Sequence, residues 1–286
     1  MLTRIADGVS VHTSECLETN SIVVDDGAAA LVIDPGLTNA ELIDLAANVR
    51  ALGLEVVAGF ATHPDWDHAL WHPSLGEAPR YGTARAAAVL DALRGDPDWR
   101  AHVTEGLPPE IAHDVPLDLF GMLIGLPAGA STVPWDGPLT RILEHQGHAQ
   151  GHAALLIEER RVLVAGDMLS DVLVPMPDLD GDAPDPLQDY LDGLQLLEQA
   201  ALDADFVVPG HGSPGDAGEL RARIVADRAY VEGLRDGGMI SDPRITEPKA
   251  GWEWVLYVHE GNVERAARAR SDRRKGPDSA PSGANG

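Results

Sequence analysis

Residues 61–68 read ATHPDWDH and bring four potential metal ligands together within six positions: His63, Asp65, Asp67 and His68. The run LEVVAGFA at residues 54–61 leads into them and is typical of a buried strand. A strand-end loop that alternates histidine with carboxylate can turn several side chains toward one point, and this ligand set suits zinc, iron or manganese. The stretch predicts a metal site, although taken alone it also fits a hydrophilic loop that contains two histidines.

Three further segments carry metal-capable side chains on glycine-rich loops. HQGHAQGH spans residues 145–152, Gly166-Asp167 closes the strand RVLVAGD, and PGHG spans residues 209–212. Small neighbouring residues let a cation approach such a loop closely. The four segments together favour a metal centre over four unrelated polar loops.

The rest of the sequence alternates predicted strands with predicted helices. In the first half, Ile22 to Gly36 predicts two strands joined at Asp25-Asp26-Gly27, and a helix follows from Asn39 to Leu52. The second half repeats this order, with predicted strands at 139–144, 153–158, 161–167 and 205–212 and predicted helices at 186–202 and 219–235. This alternation predicts an α/β architecture with polar site residues at the strand ends.

The order of the motifs resembles that of the metallo-β-lactamase-fold hydrolase superfamily, with its glyoxalase II and lactonase-like members. The signature of that family is His-x-His-x-Asp-His, then Gly-His, Gly-Asp and a final Gly-His, and the resemblance covers roughly residues 5–235. It implies an αββα sandwich of two similar halves. We therefore expect one such domain over residues 1–264.

The resemblance also implies a ligand set for two divalent ions. His63 and His148 would bind the first ion, while Asp67, His68 and His211 would bind the second. Asp167 would bridge them. Zinc is the first expectation for both ions.

Asp65 departs from the family pattern, because it stands where the second histidine of the signature usually lies. A carboxylate is a harder ligand than imidazole and shifts preference away from zinc, so iron and manganese are alternatives. Flavodiiron members of the superfamily carry a glutamate at this position. Asp65 is one methylene shorter than glutamate, so it either completes the first site or falls short of it.

Two side chains are expected to take part in catalysis. Asp67 would orient an attacking water as well as bind metal, and His152 matches an extra histidine of some lactonase-like members. His152 either faces the site or is satisfied in the core. Asp34 is expected to support a site loop through hydrogen bonds rather than bind metal.

The segment 96–135 departs most from regular periodicity and contains the apolar run LFGMLIGLPAG. We expect it to form a lid that lines a hydrophobic pocket, with a surface patch for dimer formation as the alternative. A lid would indicate a substrate with an apolar moiety.

Composition limits the partners and the compartment. The chain has 286 residues and a formal net charge of −25, which disfavours nucleic acid and anionic membrane surfaces. Cys16 is its only cysteine, and no signal peptide or membrane span is predicted, so we expect a cytoplasmic protein. Residues 265–286 are expected to form a basic, disordered tail.

The predicted function is hydrolysis of an ester, thioester, lactone or amide of a small molecule at a dinuclear metal centre. The expected partner is this small-molecule substrate, and a homodimer is possible. One alternative is a non-haem di-iron redox enzyme that uses oxygen or peroxide, motivated by Asp65. The other is a non-catalytic ligand-binding member of the fold.

Overall fold

The computed structural model describes residues 1–275, with side chains described as far as Ser271. Within these residues the first half of the chain builds a seven-stranded sheet in sequential order. The sheet is antiparallel from β1 to β4 and parallel from β4 to β7. Its strands are β1 (Thr3–Ala6), β2 (Val9–Thr13), β3 (Asn20–Asp25), β4 (Ala29–Ile33), β5 (Glu55–Phe60), β6 (Arg80–Gly82) and β7 (Ile124–Gly125).

The second half builds a five-stranded sheet over the same described part of the chain, in the order β12-β11-β10-β9-β8. Only β10 and β11 pair in parallel, and the other neighbours are antiparallel. The strands are β8 (Thr140–His145), β9 (His152–Ile157), β10 (Val162–Gly166), β11 (Phe206–Pro209) and β12 (Gly215–Asp216).

Helices cover the outer faces of both sheets. They are α1 (Asn39–Ala51), α2 (Ala84–Gly95), α3 (Trp99–Gly106), α4 (Pro186–Ala200), α5 (Ala217–Asp236), α6 (Pro243–Thr246) and α7 (Val255–Lys275). None of the helices in residues 1–275 is both long and apolar enough to cross a bilayer.

The core is divided into three layers by the alternation of side chains along the strands. On β3, Ile22 and Val24 enter the layer between the two sheets, whereas Val23 faces α1. On β9, Leu155 enters the same central layer and Leu156 faces the layer under α4 and α5. Because these strands are buried on both faces, successive positions such as 22–24 and 154–157 are apolar, which gives continuous apolar runs in the sequence. The expected αββα sandwich is confirmed.

Local signals place several element boundaries where the sequence predicted them. Thr38 caps α1 by accepting a hydrogen bond from the Glu41 amide. The β3–β4 connection contains Gly27 at φ +94°, a conformation that glycine adopts without a side-chain clash. The turn at Gly27 joins β3 to β4 in their antiparallel register, and the cap at Thr38 sets where α1 begins.

Two boundaries differ from expectation. The predicted domain end at residue 264 falls inside α7, where Ala266 is fully buried, so residues 265–275 continue the folded body. The remainder of the predicted tail, 276–286, lies outside the described residues. The segment 96–135 contains α3 and β7, and Phe120 is buried against the outer face of the first sheet, so much of it is packed structure.

A buried ion cluster joins α5, α6 and the loop after β10. The Arg244 guanidinium contacts Asp227 Oδ1 at 2.7 Å and Asp242 Oδ2 at 2.7 Å, and it donates to the carbonyls of Ser170 and Leu173 at 3.0 and 3.1 Å. All three charged side chains are buried. Removing the cation leaves two carboxylates in the interior without compensation.

We expect Arg244→Met to lower the free energy of unfolding by about 3–5 kcal/mol, measured by urea denaturation of the full chain. The matched control is Arg228→Met, which removes a surface pair with Glu198 at 2.8 Å and is expected to cost about 0–1 kcal/mol. Equal losses in the two variants would contradict the structural role of the buried cluster.

Candidate metal centre

The candidate ligands converge at one edge of the two sheets. His63, Asp65, Asp67 and His68 follow β5, His148 lies between β8 and β9, and Asp167 and His211 follow β10 and β11. In the first sheet β5 pairs in parallel with β4, and in the second sheet β10 pairs in parallel with β11, so the carboxyl ends of each pair meet at the same edge. The fold therefore brings all seven predicted ligands together.

The first group of ligand atoms comprises His63, His148 and Asp167, whose atoms lie within 4.8 Å of one another. Asp167 Oδ2 is 3.7 Å from the Nε2 atoms of both histidines. Asp65 reaches the same point, because its Oδ2 lies 3.6 Å from His63 Nε2 and 3.4 Å from His148 Nε2. Ligand atoms around a tetrahedral ion lie about 3.4 Å apart, so these separations fit one ion.

The second group comprises Asp67, His68 and His211. Asp67 Oδ2 is 3.5 Å from His68 Nε2 and 3.3 Å from His211 Nε2. Asp167 also faces this group, with Oδ1 at 3.1 Å from His68 Nε2 and Oδ2 at 3.1 Å from His211 Nε2. Asp167 lies between the two groups, as a bridging ligand must.

Unpaired polar atoms show that the donor set fits cations. His63 Nε2 is buried and makes no hydrogen bond to any residue that the structure describes, and His68 Nε2 and Asp167 Oδ1 are buried and lie 3.1 Å apart without the angles of a hydrogen bond. Buried polar atoms without partners are costly and rare. A divalent ion in each group would satisfy them.

The pKa values of the histidines also indicate a site for cations. Burial lowers the pKa of His63 to about 4, so its Nε2 carries a free lone pair at neutral pH. Burial also opposes charge on His211, but Asp167 and Asp67 outweigh it and raise the pKa of His211 to about 10. The pKa of His68 is raised for the same reason. Positive charge therefore stabilises the buried carboxylates. Without a metal ion, the protonated imidazoles of His68 and His211 supply that charge.

Each ligand histidine is held through its other ring nitrogen. Nδ1 of His63 lies 2.9 Å from Thr62 Oγ1, and Nδ1 of His68 lies 3.0 Å from Asp34 Oδ2. Nδ1 of His148 donates to the Met176 carbonyl at 2.9 Å, and Nδ1 of His211 donates to the Leu17 carbonyl at 2.8 Å. A proton fixed on Nδ1 leaves the Nε2 lone pair free to bind a metal ion.

Asp34 anchors this arrangement on the β5 side. Its Oδ1 accepts from the Thr62 amide at 2.8 Å, and its Oδ2 accepts from Thr62 Oγ1 at 2.6 Å as well as from His68. Asp34 is fully buried and has φ +49°, an uncommon backbone conformation for a residue other than glycine. The expectation that Asp34 supports the site loop through hydrogen bonds is confirmed.

His152 lies behind the centre. Its side chain is fully buried, its Nδ1 lies 3.0 Å from His145 Nε2, and its Nε2 accepts from the Asp167 amide at 3.2 Å. Both ring nitrogens are therefore occupied by protein groups. The geometry fits the alternative in which His152 is satisfied in the core and supports the backbone of Asp167, and a catalytic role for His152 stays a prediction.

A cavity of about 340 Å³ opens beside the first group, next to Asp65 and His148. Its other described walls come from Pro64, the loop between β8 and β9, α2, the segment 174–181 and α7. They include Gln150, Val89, Met176, Asp178, Leu179, Asp180, Asn262 and Arg265. Within residues 1–275, none of its lining residues belongs to 96–135. Phe120 packs on the outer face of the first sheet, Leu126 and Val133 pack between the two sheets, and Met122 is exposed, so a lid over another part of the site stays a prediction. The alternative of a dimer patch stays a prediction.

Sequence reasoning missed the segment 174–181 and the contribution of α7. Met176 acts through its backbone carbonyl, which carries no sequence signature. Asn262 and Arg265 lie far along the chain from every motif. The only available signal is the unusual Pro175-Met176-Pro177 that follows the Gly-Asp motif.

Comparisons with known proteins agree with this geometry. A family model described as the metallo-beta-lactamase superfamily matches residues 15–211. The chain belongs to this superfamily. A hydroxyacylglutathione hydrolase from Synechococcus sp. (strain JA-2-3B'a(2-13)) is 33% identical over 144 residues, which are 50% of this chain and 45% of that protein. The chain thus spans about half the length of this curated relative.

Solved structures show the same fold. A metallo-beta-lactamase family protein from Thermus thermophilus is similar with a TM-score of 0.63 and 24% identity over 94% of each chain. A beta-lactamase domain protein from Burkholderia ambifaria gives a TM-score of 0.58 and 21% identity, over 82% of this chain and 75% of that one. At these identities the likeness concerns the fold.

We expect Asp65→Ala to weaken zinc binding at the first ligand group by about tenfold or more, because Asp65 Oδ2 faces that candidate group alone. The measurement is titration of metal-free protein against a chromophoric chelator. Asp178→Ala is the matched control, since Asp178 lines the same cavity outside both ligand groups. Unchanged zinc affinity in Asp65→Ala would show that Asp65 is not a ligand.

Proposed function

We propose that the protein is a metal-dependent hydrolase that uses a dinuclear centre against an ester, thioester, lactone or amide of a small molecule. The observation that carries the proposal is the pair of ligand groups that share Asp167. Membership of the superfamily and the name of the Synechococcus relative support hydrolysis as the reaction type. Zinc is the first candidate metal, and Asp65 keeps iron and manganese as candidates.

Two divalent ions held by these groups would supply a Lewis acid and a water of lowered pKa. Asp67 would orient the attacking water through a carboxylate oxygen. Burial opposes ionisation of Asp67, but His68 and His211 outweigh it and hold its pKa below the ordinary value, so the carboxylate is available as an acceptor. Asp167 is held in place by the hydrogen bond between its amide and His152.

The cavity supports a small substrate with an apolar part. Its volume of about 340 Å³ lies in the range of small-molecule sites. Val89 and Leu179 provide apolar walls, while Asp178 and Arg265 provide charged ones. The apolar part would lie against the first two, with the bond to be cleaved near Asp65 and His148.

The proposal is tested by removing metal and restoring it. Metal-free protein is expected to be inactive on a panel of esters, thioesters, lactones and amides, and zinc or manganese should restore turnover of one class. Turnover that survives full metal removal would overturn the proposal. Two bound irons, with oxygen consumed in the presence of a reductant and no hydrolysis, would favour the di-iron redox alternative.

We expect Leu179→Asp to raise KM at least tenfold for the best apolar substrate of that panel, with unchanged metal content. Leu179 lines the cavity and belongs to neither ligand group, so the substitution places a charge on the wall and keeps every candidate ligand. Met122→Asp is the control, because Met122 is exposed and does not line this cavity. A KM that changes in Met122→Asp and not in Leu179→Asp would locate the substrate elsewhere.

A further inference from the structure

We infer that the segment 249–262, which follows the residues matched by the family, positions two ligand histidines by holding the two stretches of chain whose backbone carbonyls orient them. The inference rests on the proposed metal centre. Each set of contacts is termed a grip. The first grip holds the loop between β2 and β3, which orients His211, and the second grip holds the segment after β10, which orients His148. The residues involved are positioning residues and contact no ion themselves.

The first grip holds the loop between β2 and β3, whose backbone is strained at two residues. Leu17 and Glu18 are consecutive residues with φ of +58° and +45°, although neither is glycine. Such conformations persist only where surrounding contacts determine them. The Leu17 carbonyl accepts from His211 Nδ1 at 2.8 Å, and the Glu18 carbonyl accepts from the Gly212 amide at 3.0 Å. The loop thus sets the orientation of His211.

Residues between α6 and α7 hold this loop. The Glu18 carboxylate accepts from Lys249 Nζ at 2.7 Å and from Trp252 Nε1 at 3.1 Å. Trp252 is buried, its ring stacks on Trp254 at 5.0 Å, and it lies 6.4 Å from the His211 ring. Because burial and stacking hold the Trp252 indole in place, its hydrogen bond restrains the Glu18 carboxylate. Leu17 directly precedes Glu18, so the position of its carbonyl is restrained as well.

The second grip acts from α7. Asn262 is fully buried and donates from Nδ2 to the Pro175 carbonyl at 2.9 Å. The next carbonyl along the chain, that of Met176, accepts from His148 Nδ1 at 2.9 Å. Arg265 donates to Asn262 Oδ1 at 2.9 Å, which fixes the orientation of the amide. Asn262 therefore sets the position of the acceptor that orients His148.

The two grips act on different metal sites. His148 belongs to the first ligand group, and His211 belongs to the second. Loss of a partner on Nδ1 frees the ring to rotate or to change tautomer, and such outer partners contribute about 10- to 100-fold to metal affinity. Disruption of each grip should weaken one site and spare the other, whereas a general loss of stability would affect both.

The test measures two dissociation constants for cobalt(II) on metal-free, full-length protein, from the visible spectrum and from competition with a chelator. Glu18→Ala is expected to weaken the second site about tenfold or more, and Asn262→Leu the first site by a similar factor. Glu18→Gln should restore most of the affinity, because it keeps an acceptor for Trp252. Arg268→Gln is the control, since Arg268 is exposed on α7 and contacts only Glu264 among the residues described.

Thermal unfolding of each metal-free variant separates folding from binding. Folded variants that keep both wild-type dissociation constants, or that lose both sites equally, would overturn the positioning role. Should Asn262→Leu fail to fold, Asn262→Ser serves the same arm, because serine is too short to reach the Pro175 carbonyl. A wild-type protein that binds no ions would instead overturn the proposed metal centre.

Discussion

Asp67 and Asp167 concentrate negative charge in a buried space between the ends of two sheets, with Asp65 beside them and Asp34 behind. Buried carboxylates are tolerated only when positive charge compensates them. The histidines around these carboxylates meet that requirement. Four histidines face the carboxylates through Nε2, and a hydrogen bond at Nδ1 orients each of the four rings.

The sequence predicted what side-chain chemistry and periodicity encode. The ligand motifs predicted which residues meet, since each follows or precedes a strand whose apolar run is easily seen. The alternation of strands and helices predicted the layered sandwich, and Asp34 was placed correctly because it ends a strand beside the histidine-rich loop. Asp65 needed the structure, because only coordinates show that its shorter side chain reaches both His63 and His148.

The features that the sequence did not predict depend on backbone groups and on tertiary contacts between residues far apart in the chain. The carbonyls of Leu17 and Met176 orient two ligand histidines, yet any residue type carries a carbonyl. The apolar residues of the segment 96–135 lack periodicity, so the sequence did not predict that Phe120 packs on the first sheet while Leu126 and Val133 pack between the sheets. His152 matched a family position, but its surroundings leave both nitrogens engaged. The helix α7 extends past residue 264 because Ala266 packs into the core.

The backbone of the segment 174–181 has two roles. It carries Leu179 and Asp178, which shape the cavity wall, and it carries the Met176 carbonyl, which orients His148. Side-chain substitutions at 178 or 179 leave that carbonyl in place, whereas an insertion or deletion that reshapes the wall would also move the acceptor that orients His148. During divergence of such an enzyme, new specificity would arise more readily from α2, whose Val89 borders the cavity without holding a ligand. That helix is the part of the pocket most open to evolutionary change.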